Sequence, residues 1–385
     1  VSNELKTVVI FFNDMEVHPS GVNAGGGESA TLGLAKSIRK KGHRVIACAN
    51  LPEGETEAHG IEFWNFGSSY SLKTIELRLR DIGSYHSIAA TLGLPFLFLS
   101  DHKNCLSKIL INHAPSCNAS GVTPNTLFTW IDRMICVSEA QKKMIIDHGG
   151  QENKISVVRN GFDPELFTYA GPEGRDWMHI IFVGRVDSWK GAHLLIDGFP
   201  YLKKHFPKVQ LSFFGDYTSW SEMKRVKEKL EREEPQIHFH GKVSQREIAA
   251  HLRTAGLLAF PSISFESAGL AVVDAQASGC PVVAFDTGGV AEHVFQNECG
   301  IVVKEQNLDH LMHGIKSLLS NPDRLQYFSS NCLTRARSRT WDVVASDILK
   351  ITSEIAEMNQ SSQVQKIIDI EFLKGQAPRA IDILR

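Results

Sequence analysis

Two carboxylates, Glu266 and Asp274, stand in the stretch SFESAGLAVVDAQASG (264–279), with only small and aliphatic residues between them. A helix is expected to start near Gly269. The N–H groups of Ala268, Gly269 and Leu270 would then point outward, with the positive end of the helix dipole behind them, which is an arrangement for an anion. Glu266 lies just before that end, where an acid either caps the helix or reads a ligand. Asp274 falls mid-helix, where Asp is a poor helix former. Set between Val273 and Ala275, it calls for a ligand or a buried partner.

Three further groups could join this chemistry. Arg185 and Lys190 share one loop, GRVDSWKG (184–191). Arg as a planar fork and Lys as a point charge can together neutralise a diphosphate. The run GGGE (25–28) contains Gly26 and Gly27, which let a backbone approach a ligand closely ahead of a helix N-terminus. It lacks the GxGxxG pattern and a Walker lysine, so by itself it also reads as a plain tight turn. His113, in LINHAP, ends a strand, where a histidine serves either packing or a ligand. No HExxH and no GxSxG elbow occurs, so zinc hydrolysis and serine esterase chemistry lack support. No metal site and no cofactor are expected.

These residues need elements to position them. The run TVVIFFN (7–13) reads as a buried strand, ESATLGLAKSIRKKGH as a helix and RVIACAN (44–50) as the next strand, which makes a βαβ unit. Strands are expected at 109–114, 134–138 and 154–161, with a helix closed by Gly149. The aperiodic segment 163–177, rich in Pro, Gly and Asp, reads as a linker. A second alternating series follows, with strands at 179–185, 209–216, 236–241, 257–262 and 281–286. Helical patterns cover 342–359 and 363–374. The expected fold class is α/β, with two doubly wound domains facing across a cleft and ligands at the carboxyl ends of the strands. The expected domains are 1–172 and 173–341, with 342–385 returning to the first.

The bulk numbers agree with this class. The chain has 385 residues, 43% of them apolar and 22% charged, and a net charge of −2 that gives no reason to expect nucleic acid. Seven cysteines without a C-x-x-C pair fit a reducing cytoplasm better than a disulfide framework or a zinc site. The sequons at Asn118 and Asn359 then carry no meaning. No apolar run approaches the ~18–20 residues of a membrane helix, and TVVIFF lacks a signal peptide's flanks. The basic stretch KSIRKKGHR (36–44) reads as a helix end whose cations suit the dipole. The competing expectation is weak, peripheral association with an anionic membrane surface.

Taken together, the chain resembles the retaining glycosyltransferases of family GT4, with the GT-B fold of two Rossmann-like domains. GGGE, ICVSEAQKKMI to VVRNGFDPELF, FVGRVDSWKG, IHFHGKVSQREI, SFESAGLAVVDAQASG and GCPVVAFDTGGVAEHV carry the likeness in that order. The resemblance implies that Glu266 contacts hydroxyls of a donor sugar and that the amides of Ala268, Gly269 and Leu270 hold sugar and phosphate. Arg185 and Lys190 match the diphosphate-binding pair, Gly26 and Gly27 the first-domain loop near the diphosphate, and His113 a histidine near the sugar. Val243 matches a backbone contact to the base. Asp274 stands where the family usually has a ribose-binding Glu, and is one methylene shorter.

The implied reaction moves a sugar from a nucleotide-diphosphate donor to a hydroxyl acceptor: a sugar, a lipid-linked sugar or a small molecule. It keeps the anomeric configuration, by same-face attack, and needs no metal, since preorganised cations and helix ends meet the leaving charge. The paired carboxyls of a retaining hydrolase stand about 5–5.5 Å apart. Glu266 and Asp274 would be roughly 12 Å apart along a helix, so they are no such pair. The alternatives are a GT-B-fold nucleotide-sugar epimerase and a non-catalytic nucleotide-sugar-binding protein.

Overall fold

The computed structural model describes residues 5–21, 25–52, 54–66, 72–90, 103–114, 124–217 and 221–362. The helix expected at 363–374, residues 22–24 of the glycine-rich loop, Cys117 and the Asn118 sequon lie outside these residues. The chain divides into two units, 1–159 with 341–385, and 160–340.

In the first unit, strands β1 (Thr7–Glu16), β2 (Arg44–Asn50), β3 (Thr56–Ala58), β4 (Ile61–Asn65), β5 (Tyr85–Ala90), β6 (Cys105–Asn112), β7 (Arg133–Cys136) and β8 (Ile155–Val157) form one sheet. Its order is β3-β4-β2-β1-β5-β6-β7-β8. The strands run parallel except for the β3–β4 pair. β1 is central, and Val8 to Phe12 are buried on both faces, which is why it reads as an unbroken apolar run. β5, also central, was not expected. Its residues YHSIAA are all buried, yet His86 and Ser87 hide it from an apolar scan. His86 Nδ1 pairs with Ser107 Oγ of β6 at 3.0 Å, so the polar group goes inside with a partner.

Helix Trp341–Ser362 belongs to this unit and packs on helix Gly26–Lys40 and on β6. Trp341, Ala345, Ile348, Thr352 and Ile355 form its buried stripe. Gly33 is needed for the contact, since a Cβ there would collide with the Trp341 indole. Asn359, the second sequon, is held by Leu106 O at 3.1 Å and Asp132 Oδ2 at 3.2 Å.

In the second unit, β9 (Asp176–Val183), β10 (Gln210–Phe214), β11 (Ile237–Gly241), β12 (Ala255–Phe260), β13 (Val282–Phe285) and β14 (Gly300–Val303) form an all-parallel sheet. Its order, β11-β10-β9-β12-β13-β14, is that of an open, doubly wound dinucleotide-binding sheet, with the order reversing between β9 and β12. Alternate residues feed two cores. Ile180, Phe182, Leu211, Phe213, Leu257, Ala259, Val283 and Phe285 face helices Ala192–His205 and Leu308–Leu319. Ile181, Leu258, Phe260, Val282 and Ala284 face helices Gln245–Thr254 and Leu270–Ala277.

The boundary differs from the expected 172/173. Residues 160–172 belong to the second unit, because Phe162 and Phe167 are buried in its core and Phe162 N–H donates to Arg339 O at 3.0 Å. Arg175 pins the same segment by donating to Leu252 O, Ala255 O and Ser278 O. Polar composition suggested a linker, but two phenylalanines decide which side the segment joins.

No helix among the described residues is long and apolar enough to cross a membrane. Three cations of the basic stretch are tied down: Arg39 donates to Gly60 O at 2.7 Å, Lys40 lies 3.6 Å from Asp342, and Arg44 clasps Glu62 at 2.7 and 3.0 Å. The described cysteines are free thiols.

Candidate functional site

The second unit gathers its candidates at the point where the strand order reverses. The loop after β9 carries Arg185 and Lys190, and the loop after β12 carries Glu266. Lys190 Nζ forms an ion pair with Glu266 Oε1, and Ser262 Oγ donates to the same oxygen at 2.5 Å. Both charged side chains are largely sheltered, at 23% and 12% exposure. Lys190 also sits over the Phe260 ring, 5.9 Å from its centroid.

Asp187 supports both cations. Its Oδ1 accepts the Lys190 N–H at 2.8 Å, and its Oδ2 lies 3.4 Å from Arg185 Nε. Asp187 is buried, whereas the Arg185 side chain is 62% exposed and its remaining donors face solvent. The two loops are stitched together at the Trp189 carbonyl, which accepts from Ile263 N–H at 2.9 Å and Ser264 N–H at 3.3 Å. Gly191 has φ +70°, and a Cβ there would collide with Pro261 O. Gly288, with φ +56°, lies against the Glu266 backbone in the same way, and Gly289 N–H donates to Glu266 O at 2.8 Å. Glu266 is thus held from the β9, β12 and β13 loops at once.

Helix Leu270–Ala277 follows, with Gly269 as its N-cap in the left-handed region at φ 73°. Among the described residues, the amides of Ala268, Gly269 and Leu270 donate to no backbone carbonyl, which leaves them available to an anion. Glu266 lies outside the helix and does not cap it through its side chain. Asp274 is half-buried on this helix. Its carboxyl is pushed well above the usual range, first by burial and then by the nearby charge of Asp163. Val243 is half-buried in the turn between β11 and helix Gln245–Thr254, whose start carries a capping box of Ser244 and Glu247. That turn connects to the Arg185 loop across the end of β10: Gly215 N–H donates to Gly241 O at 2.8 Å, and Val186 N–H to Asp216 O at 2.9 Å.

The first unit holds Gly26, Gly27 and His113. Gly26 and Gly27 are not in a loop, as expected, but form the first turn of helix Gly26–Lys40, with Gly25 as N-cap. None of the three has positive φ, so the run does not turn the chain, and Gly25 leaves room for the Glu28 carboxylate that lies against it. His113 follows β6 and is half-buried. Loss of solvation lowers its pKa to about 4, against the opposing pull of Glu28 in the first turn of the same helix. The electrostatic reach of Glu28 brings the glycine turn and the histidine into one neighbourhood. Neutral imidazole is therefore the resting form.

Several supporting residues escaped the sequence reading. Asp187 had a visible signal, an acid between two bases in one loop. Ser262 had a weaker one, four residues before Glu266. Gln141 had none, since its partners Asn112 and Ala114 lie on another strand's end.

Comparison with known proteins agrees with this architecture. The family model for Glycosyltransferase Family 4 matches residues 24–166, and that for Glycosyl transferases group 1 matches residues 175–334. Glycogen synthase of Mycobacterium tuberculosis is 25% identical over 329 residues, covering 79% of this chain and 78% of that protein. Phosphatidyl-myo-inositol mannosyltransferase of Mycobacterium leprae is 28% identical over 252 residues, covering 63% and 65%. Among solved structures, Anabaena HepE in complex with UDP and glucose has a TM-score of 0.71 at 20% identity, covering 90% of this chain and 99% of that one. Sucrose-phosphate synthase of Thermosynechococcus elongatus has a TM-score of 0.72 at 16% identity, covering 91% and 99%. Two Rossmann-like units with these solved neighbours define the GT-B fold. The chain belongs to the GT4-type, group 1 glycosyltransferases.

Proposed function

We propose that the chain transfers a sugar from a nucleotide-diphosphate donor to a hydroxyl acceptor, with retention of anomeric configuration and without a metal ion. The observation that carries this reading is the Lys190–Glu266 pair set before the free amides of Ala268, Gly269 and Leu270. An ammonium has three donors. Glu266 accepts one of them from Lys190, and the ammonium's remaining donors can meet phosphate oxygens together with Arg185 and the helix end. Glu266 would accept from sugar hydroxyls, and Asp274 from the ribose. The leaving nucleoside diphosphate then gathers negative charge where fixed cations and amides already stand, which lowers the barrier without reorganisation. The donor phosphate is suited to take the acceptor's proton. The complexes of HepE with UDP and glucose, and the glycogen synthase and mannosyltransferase relatives, support a hexose donor of this kind.

Incubation with a panel of nucleotide sugars and candidate acceptors, followed by NMR of the product's anomeric centre, tests the proposal. A new glycoside with the donor's anomeric configuration and free nucleoside diphosphate is expected. Inverted product would overturn retention. Binding without turnover across the panel would favour a non-catalytic sugar-nucleotide protein, and an altered sugar without glycosidic transfer would favour an epimerase.

A further inference from the structure

Gln141 makes a pattern of contacts that helix packing does not require. It is fully buried near the start of helix Glu139–Asp147. Its side-chain Nε2 donates to two carbonyls, Asn112 O at 3.0 Å and Ala114 O at 2.7 Å. Those are the residues immediately before and after His113. Its Oε1 accepts the Val137 N–H at 2.8 Å, and its own N–H is held by the Ser138 hydroxyl at 3.1 Å. One carboxamide thus ties the end of β7 to both residues that flank the histidine. Asn112 closes the same turn from within, its Oδ1 accepting Ala114 N–H at 3.1 Å. Asn112 is itself buried, and its Nδ2 has no partner among the described residues.

We propose that Gln141 is the positioning residue for His113: by holding the residues on either side, it fixes the backbone from which the imidazole projects and keeps the ring at its sheltered, neutral place. The proposal rests on the reading of His113 as a sugar-contacting group. A glutamine suits the task because it donates two hydrogen bonds and accepts one, all three of which are used here. An apolar residue of equal size would take this donor from both carbonyls and let the 112–114 turn relax toward water.

The test is a pH titration of the histidine ring resonances in nitrogen-labelled protein, with His113 assigned by His113→Ala. In the unsubstituted chain His113, lowered by burial, is expected to titrate at about 4. In Gln141→Leu it is expected to move up toward the ordinary value of about 6.5 as water reaches the ring. His86 supplies the control, because it lies in the same unit and burial also lowers its pKa to about 4. A shift confined to His113 supports positioning. A shift of both, or of neither, overturns it. Should Gln141→Leu not fold, Gln141→Met, unbranched, neutral and of nearly the same length, carries the same comparison without adding a charge near the ring.

Initial rates with the nucleotide sugar that supports transfer give a second readout. Gln141→Leu should lower kcat by up to ~100-fold, the loss that a misplacement of about 1 Å can cause. Adding it to His113→Ala should cost nothing further. Additive losses would overturn the proposal while leaving the transferase reading intact. An unchanged rate in His113→Ala would instead remove the sugar-contacting role, and the titration would still decide for Gln141.

Discussion

The two units arrange their candidate polar groups in opposite ways. The second uses formal charges that restrain one another: Lys190 against Glu266, and Arg185 and the Lys190 amide against Asp187. The first uses neutral groups: helix amides at Gly26 and Gly27, and an imidazole kept uncharged by burial. Charges paired at a loop crossing are strong but costly to unpair, since removing one partner leaves the other sheltered from water. Neutral groups cost less to bury, but they direct a ligand only as well as the backbone beneath them is fixed. On the proposed reading, the second unit's fixed charges suit a phosphate, whereas the first offers helix amides to the same diphosphate and a neutral imidazole to sugar hydroxyls.

The contrast can be broken at its charged end first. Lys190→Ala should lower kcat by ~10²-fold or more, because it removes a preorganised cation and strands Glu266. Arg185→Ala should lower it by a similar ~10²-fold through the cation alone. Steady-state rates check both, and near-normal turnover in the two variants would remove the diphosphate assignment.

A smaller effect separates the two acids. Glu266→Ala should lower kcat more than it raises donor KM, since the sugar it faces changes charge and shape in the transition state. Asp274→Ala should raise donor KM, by about tenfold for each ~1.4 kcal/mol of ribose binding lost, with little change in kcat. If donor KM and nucleoside diphosphate affinity are unchanged, Asp274 is a structural residue of its helix.

Stability sharpens the point. The folded chain holds the Asp274 proton to higher pH than the unfolded chain does, because burial and Asp163 both oppose its charge. The native state therefore binds more protons in the window above the unfolded pKa, and stability falls as pH rises through that window to the folded pKa. Asp274→Asn removes this penalty. It should raise Tm at pH 7 by a few degrees, where ~1 kcal/mol corresponds to about 2–4 °C in a unit of this size. The gain should disappear in acid below the unfolded pKa. A lower Tm at pH 7 would mean that the carboxylate is a stabilising group.

The smallest expected effect is none. Activity should survive EDTA, since Arg185, Lys190 and helix amides are placed to meet the leaving charge. Loss of activity with EDTA and recovery with Mn²⁺ or Mg²⁺ would refute the metal-free reading.

Much of the frame was visible in the residue pattern. Strands β1, β2, β9, β10, β12 and β13 announce themselves because parallel strands covered on both faces become largely apolar runs, whereas β11, at the sheet edge, alternates between buried and exposed residues. β5 and β14 did not. β5 carries buried His86 and Ser87, and β14 has only four residues, GIVV, after an irregular loop. The helices Leu308–Leu319 and Pro322–Ala336 were also passed over, although Asn307 and Asn321 cap them in the ordinary way.

The sequence by itself determined which chemical groups the molecule offers: a cation pair on one loop, an acid before a glycine-started helix, a second acid within it, and a histidine at a strand end. Loop position after a strand and helix start after a glycine are local matters, governed by backbone sterics and by nearby side chains. The tertiary structure decided which groups meet. Lys190 reaches Glu266 across 76 positions of chain, and Gln141 reaches Asn112 across 29, distances over which no local preference acts. It also decided their charge states. His113 is neutral and Asp274 is reluctant to ionise because burial withdraws water, and burial belongs to the packed chain alone.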